Sequence, residues 1–296
     1  MESGPQIFDR QLLRMRQARA RSQGPATFLL DHVAADLGER LGAVLRSFAL
    51  AADIGTPTDA VRLALAASGK VQTIVSVAPR AIANGLHIVA DEEALPLADA
   101  SIGLAVSALA LQSVNDLPGA LIQIRRTLKP DGLMLAALLC GDTLMELRQA
   151  FAHAESEIEG GLSPRVAPFA DLRELGALLQ RAGFALPVAD SDRLVVRYDS
   201  ASALMRDLRA MGAANALVER RRVPLRRATL LRMAEIYSER FSDSDGRVRA
   251  TFEIAWLTGW TPHESQQKPL KPGSATQRLA DALGTKEISA GDKAPR

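Results

Sequence analysis

The stretch Phe48-Ala49-Leu50-Ala51-Ala52-Asp53-Ile54-Gly55-Thr56-Pro57-Thr58-Asp59 decides the reading of this chain. A short apolar run ends in an acid and a glycine turn, and a helical pattern then occupies 58–68. A short apolar run between turn signals reads as a buried strand. A turn that leads straight into a helix reads as the first crossing of an α/β sheet.

The pattern repeats outward from that stretch. Residues 71–77 are rich in β-branched side chains, 86–90 form another short apolar run closed by Asp91-Glu92-Glu93, and 101–106 predict a further strand. Asn115 or Asp116 can cap the helix that follows, in which Leu117, Leu121, Ile124 and Leu128 form the buried stripe. Lys129-Pro130-Asp131-Gly132 predicts a helix stop and a turn. Residues 133–139 are continuously apolar, as a central parallel strand should be. Strands alternating with helices in this way predict an α/β fold with a doubly wound parallel sheet. Such sheets bind ligands at the carboxyl ends of their strands. Those ends are Asp53-Ile54-Gly55, Val77-Ala78, Asp91-Glu92 and Ser107-Ala108.

The flanks are less regular. Residues 5–22 predict a basic amphipathic helix, with Phe8, Leu12 and Met15 on one face and Arg10, Arg14, Arg16, Arg19 and Arg21 spread around it. A second helix carries Leu30, Val33, Leu37, Leu41 and Val44. Helices are expected over 143–157, 169–182, 201–210 and 227–241, and a hairpin of strands 184–190 and 193–198 turning at Asp190-Ser191-Asp192. A long aromatic strand, 249–260, comes last, with Trp256 and Trp260 on one face. The domain reading has three parts. Helices in 1–46 pack on or lid the core. Residues 47–260 form the main domain, with a helical insert at about 200–241. The polar, proline-containing tail 261–296 is read as disordered.

Composition sets limits. A single cysteine, Cys140, excludes an intramolecular disulfide and cysteine-rich metal sites, and the four histidines are scattered, so no metal site is expected. Cys140 ends an apolar run and reads as a buried small hydrophobe. No apolar run approaches the ~20 residues of a membrane span, which leaves peripheral association open. The start lacks a secretory pattern, so a cytoplasmic location is the default. A net charge of +2 gives no argument for DNA. Arg220-Arg221-Arg222, with Arg226 and Arg227 around Pro224, reads either as a grip for an anionic partner or as a solvated face. No aromatics interleave with it, which argues against RNA.

Four ordered blocks carry a family resemblance: Asp91-Glu92-Glu93-Ala94-Leu95-Pro96, Val114-Asn115-Asp116-Leu117-Pro118, Leu128-Lys129-Pro130-Asp131-Gly132 and Gly141-Asp142-Thr143-Leu144. They resemble the methyltransferase type 11 group of class I methyltransferases. Phe8-Asp9-Arg10, Glu159-Gly160-Gly161, Ser163-Pro164, Arg181-Ala182-Gly183-Phe184, Met211-Gly212, His263-Glu264-Ser265 and Gly273-Ser274-Ala275-Thr276 narrow it. These resemble the mitochondrial and alphaproteobacterial complex I assembly factor branch. The resemblance implies a Rossmann-like class I methyltransferase sheet, S-adenosylmethionine (SAM) as cofactor, and arginine hydroxylation or methyl transfer on a protein substrate, a complex I subunit. It places the chain in the mitochondrial matrix if the source is eukaryotic.

A class I site ideally has Asp-x-Gly-x-Gly-x-Gly after the first strand, because glycines permit unusual φ and close approach of backbone to the cofactor. Here Gly55 stands alone; Pro57 fixes φ and lacks an N–H donor, and Asp59 adds bulk and negative charge. The acid expected for the ribose is replaced by Val77, while Asp91, with Glu92 beside it, supplies the acid for the adenine edge. Family members carry Asp at the place of Gly103 and His-Trp at that of Gln112-Ser113. The candidate cofactor contacts are therefore Asp53, Gly55, Thr56, Pro57, Val77, Asp91, Glu92 and Ser107, with no catalytic residue assigned. Asp53 and Gly55 read equally well as a plain strand-to-helix turn, and Thr58 or Asp59 as the N-cap of the next helix. Two other functions stand beside the protein-modifying enzyme: a non-catalytic assembly chaperone of the same fold, and a small-molecule or carrier-protein methyltransferase.

Overall fold

A computed structural model describes residues 6–79, 85–267 and 279–286. The apolar runs become β1 (Phe48–Ile54), β2 (Val71–Ala78), β3 (Leu86–Val89), β4 (Ile102–Ala108), β5 (Leu128–Leu139), β6 (Ala185–Tyr198) and β7 (Val248–Trp260). They form one sheet in the order β3-β2-β1-β4-β5-β7-β6. β1 to β5 pair in parallel, and β7 runs antiparallel to both of its neighbours. The chain winds outward from β1 to β3, then crosses to the other side at β4. That reversal lies between β1 and β4, and the crevice beyond their carboxyl ends is where such a sheet takes ligands.

The helices are α1 (Arg10–Ser22), α2 (Phe28–Ala43), α3 (Ala60–Ala67), α4 (Leu117–Thr127), α5 (Met145–Glu159), α6 (Leu172–Arg181), α7 (Ala201–Ala210) and α8 (Arg227–Phe241). One face of the sheet buries Ala51, Leu104, Val106, Leu135, Phe252 and Trp256 beneath α2, α3, α5, α7 and α8. The other buries Ile54, Val77, Ala105, Met134 and Leu257 beneath α4 and α6. The caps are local and strong. Asp116 accepts from the Gly119 N–H at 2.8 Å, and Asp171 forms a capping box with Glu174.

Three expectations are corrected. Residues 128–132 are part of a strand as well as a turn. The β4–β5 register jumps from Ile102 opposite Leu128 to Leu104 opposite Leu133, and Lys129-Pro130-Asp131-Gly132 bulges out between them. Asp131 takes φ +63, and a Cβ on Gly132 would lie 2.8 Å from the Lys129 carbonyl oxygen. The bulge is thus accommodated by this glycine and a left-handed neighbour. The predicted hairpin at Asp190-Ser191-Asp192 does not exist. β6 passes straight through, with these residues opposite Trp256, Ala255 and Ile254. An edge strand tolerates polar residues, and α2 answers both acids: Arg40 reaches Asp190 at 2.6 Å and His32 reaches Asp192 at 3.3 Å. Finally, the helix expected over 5–22 starts only at Arg10, and its apolar face is unevenly covered: Phe8, ahead of it, is buried and Leu12 is half-buried. Met15 is 62% exposed, while Ala20 is buried and Arg10, Leu13 and Gln17 are half-buried.

The described residues fall into two compact units that divide between Pro262 and His263. In the second, a short helix α9 (Leu279–Ala282) forms, and His263 Nδ1 lies 2.7 Å from Ser265 Oγ. The rest of the tail read as disordered, including the Gly273–Thr276 block, falls outside the described residues, as do 1–5 and 80–84. Among the described residues no helix is long and apolar enough to cross a membrane.

Trp256 is buried, with the Arg40 guanidinium 4.4 Å from its ring centroid, whereas Trp260 is half-buried under Arg46 at 5.5 Å. Trp256→Ala should cost about 3–5 kcal/mol, and Trp260→Ala clearly less, in chemical denaturation. Equal losses would contradict this burial.

Candidate functional site

The loop after β1 is built by a chain of close contacts. Gly55, at φ +74, donates its N–H to the Val77 carbonyl at 2.7 Å, which locks the loop to the end of β2. A Cβ here would sit 2.6 Å from Glu92 Cγ and 2.9 Å from Ala110 Cβ, so only glycine fits. Thr56 Oγ1 donates to Asp53 and accepts from the Ala108 N–H at 3.3 Å, tying β1 to the end of β4. Asp53 is buried, and burial pushes its carboxyl up to about 7 against the Thr56 hydrogen bond. The α3 N-cap position is Asp59, but its carboxylate turns to Arg62 at 2.9 Å. The charge expected to face a cofactor is thereby neutralised.

The acids after β3 are claimed from above. Arg10 of α1 donates to Asp91 at 2.7 Å, to Glu92, and to the Ser113 carbonyl at 3.0 Å. Arg14 also reaches Asp91. Burial works to raise the Asp91 carboxyl, but the Glu93 N–H and the two arginines outweigh it and hold Asp91 below its ordinary value. At Glu92 burial wins over Arg10, and the carboxyl is raised.

These contacts hold α1 across the carboxyl ends of the strands. The segment before it is anchored too: the Ile7 and Phe8 N–H groups donate to Asn115 Oδ1 at 2.9 and 2.8 Å, and the Asp9 N–H to the Ala216 carbonyl at 2.8 Å. Beneath α1 lie two chambers that share Gln17, Arg21 and Pro57. The larger, about 330 Å³, is bounded below by Gly55, Thr56, Pro57, Ala78 and Pro79 and above by Arg14, Met15 and Ala18. The smaller, about 100 Å³, is mainly apolar, with Leu13, Leu29, Leu109, Leu139 and Met211 in its walls. Leu109 there adopts φ +51, the kind of backbone strain that gathers at functional sites. The larger chamber falls in the ~300–1,000 Å³ range of small-molecule pockets.

Of the candidate residues, Gly55, Thr56 and Pro57 meet in one cavity. Asp53 lies just below them, bonded to Thr56. Val77 offers its side chain to the core and its carbonyl to Gly55. Ser107 is buried, and its Oγ has no hydrogen-bond partner. Asp91 and Glu92 are held by α1. Arg14, Gln17 and Arg21 were missed, although their spacing of three and four put them on one helix face with Arg10. Most of the named Arg220–Arg227 cluster is used internally: Arg220 pairs with Asp9, and Arg221 and Arg226 with Glu159. Cys140 is buried, its thiol pushed up to about 12 by burial and then by Glu253. No group of three or more metal-ligating side chains occurs among the described residues.

Comparison with known proteins agrees with this architecture. Residues 52–136 match the model of a methyltransferase domain. The chain is similar to the mouse protein "Arginine-hydroxylase NDUFAF5, mitochondrial", 39% identical over 97% of this chain and 87% of the relative. It is also similar to the malonyl-[acyl-carrier protein] O-methyltransferase of Laribacter hongkongensis, 41% identical but over 63% of this chain and 60% of that protein. Among solved structures, the YcgJ protein of Bacillus subtilis covers 78% of this chain and 99% of its own length, with a TM-score of 0.52 at 18% identity, a likeness of fold alone. With the first likeness extending through α1, the insert and the last strand, the chain belongs to the arginine-hydroxylase NDUFAF5 family, built on a methyltransferase domain.

Proposed function

We propose that this protein binds SAM in the roofed cleft above β1 and β2 and modifies an arginine of a protein partner, a subunit of respiratory complex I. The reading is carried by identity to an arginine-hydroxylase over 97% of the chain. The cleft supports the cofactor half of it. Gly55 lets backbone approach closely, the larger chamber has the size of a small-molecule site, and Ser107 offers a buried hydroxyl with no protein partner. In this reading Gly55, Thr56 and Pro57 touch the cofactor, Asp53 and Val77 shape the loop beneath it, and Asp91 and Glu92 take its adenine side after exchanging with Arg10. SAM, when bound, would supply an activated sulfonium for methyl transfer; hydroxylation of the arginine would need an oxidant besides it. The chain's own contribution is to position cofactor and substrate and to exclude water with α1. The site of action is the mitochondrial matrix in a eukaryote and the cytoplasm in a bacterium.

One observation favours a second reading, a non-catalytic assembly chaperone: the acids that would meet adenosine are already paired with Arg10 and Arg14. Calorimetric titration with SAM and S-adenosylhomocysteine separates the two. The enzyme reading expects micromolar binding of at least one nucleoside, and no heat at millimolar ligand would defeat it. Mass spectrometry of complex I subunits from cells lacking the protein should show an arginine without its usual extra oxygen atom. An unchanged subunit set would remove the hydroxylation claim.

Asp53 gives a pH test. Its folded value, about 7, exceeds the ordinary 3.8, so the folded protein holds a proton that the unfolded chain has already lost. Its stabilising contribution is therefore full below the ordinary value and disappears as pH rises through about 7. Asp53→Asn keeps an acceptor for Thr56 but cannot ionise. Thermal melts should show the wild type losing stability relative to Asp53→Asn across that window. A constant difference between the two proteins would contradict the buried, protonated carboxyl.

A further inference from the structure

Two arginines of the segment before α8 stand outside its internal pairs. Arg220 pairs with Asp9, and Arg221 and Arg226 share Glu159, the second at 3.5 Å. Arg222 and Arg227 are exposed, and no ion pair or hydrogen bond of their side chains occurs among the described residues. Between 219 and 227 the five arginines meet a single acid, Glu219. This charge does not help the fold. Arg226 is the N-cap of α8 and Arg227 its first residue, where the positive end of the helix disfavours a cation, and the first turn holds no acid. Crowded like charge also works against the compact state. Solvation alone gives no reason to gather cations there. Apolar side chains are exposed among them: Val223 is 55% exposed, and Leu231, one turn along α8 from Arg227, is 53% exposed.

We propose that Arg222 and Arg227, with Val223 and Leu231, form a docking surface for an acidic segment of a protein partner. Charge complementarity names the occupant. Each free guanidinium matches a carboxylate through two parallel N–H donors, and Val223 and Leu231 offer apolar contact to side chains between those acids. Arginine is enriched where proteins meet. Residues 219–231 contain no aromatic side chain on which a nucleic-acid base could stack. The surface also lies beside the roof of the cleft. Phe8 bridges to Leu217, the Val218 N–H donates to the Ile7 carbonyl at 2.9 Å, and Arg220 pairs with Asp9, the N-cap of α1. A partner seated on Arg222 and Arg227 is held next to the entry of α1. That the partner is the protein to be modified rests on the proposed function; the docking itself needs no cofactor.

The test uses the full chain and a short labelled peptide of aspartate, glutamate and leucine as probe. Fluorescence anisotropy should show binding that weakens as salt rises, because exposed charges are screened. Arg222→Glu combined with Arg227→Glu should weaken it roughly tenfold or more, since two attractions become two repulsions. The melting temperature of that variant should not fall, because glutamate suits the first turn of α8. Val223→Ser combined with Leu231→Ser should weaken the leucine-bearing peptide and leave a peptide with glycine in place of leucine unchanged. Equal peptide affinity in the charge-reversed and native proteins overturns the proposal. Tighter binding of oligouridylate, or of phosphatidylglycerol vesicles, than of the peptide also overturns it and assigns the arginines to RNA or to a membrane. A wild type that binds the peptide but no nucleoside keeps the docking surface and loses the enzyme reading, so the two fail separately.

Discussion

The buried ion cluster of Arg10 with Asp91 and Glu92 is the interaction on which the rest of the site depends. Glu92 is almost wholly buried and presses on Gly55 so closely that no side chain fits there. A carboxylate in that position needs a partner, because removing one member of a buried pair typically costs about 3–5 kcal/mol. Arg10 is that partner, and it comes from a helix distant in sequence. The need to compensate Glu92 therefore fixes where α1 lies. Asn115, binding the Ile7 and Phe8 amides, fixes its entry. With both anchors in place α1 spans the carboxyl ends of the strands, and the chambers exist because it does. Burial opposes the cluster even so: the Glu92 carboxyl is raised despite its arginine.

Much of the fold was readable in the sequence because strand and helix periods differ sharply in the first half. The continuous apolar run of 133–139 and the β-branched run of 71–77 sit where a buried parallel sheet needs them. The reading failed where pairing, not composition, decides. Asp190-Ser191-Asp192 has the chemistry of a turn, but β7 pairs along its whole length and α2 supplies Arg40 and His32. Lys129-Pro130-Asp131-Gly132 does turn, yet inside a strand, since β4 and β5 regain register beyond it. In both cases a long-range partner overrode a correct local signal.

The site was legible in proportion to how locally it is made. Gly55, Thr56 and Pro57 are contiguous, and their roles follow from the loop they form. Val77 could be placed at the end of its strand, but that its carbonyl rather than its side chain serves the loop depends on the β1–β2 register. Arg14 and Arg21 looked like basic residues spread around an amphipathic helix. The acids after β3 draw that arginine face toward the sheet, and of the apolar face only Met15 is left exposed.

The substitutions in the loop then acquire a different meaning. Read alone, Pro57 and Asp59 subtract from a glycine cradle. In the folded chain Asp59 is neutralised by Arg62, and Pro57 lies opposite Arg21. A cradle of backbone amides is present whether or not α1 is seated, whereas wall arginines are present only when it is. The charge and shape of the chambers therefore depend on the seating of α1. The same helix carries Arg10, so the ion cluster with Asp91 and Glu92 and the arginine-bearing walls of the chambers are held in place together.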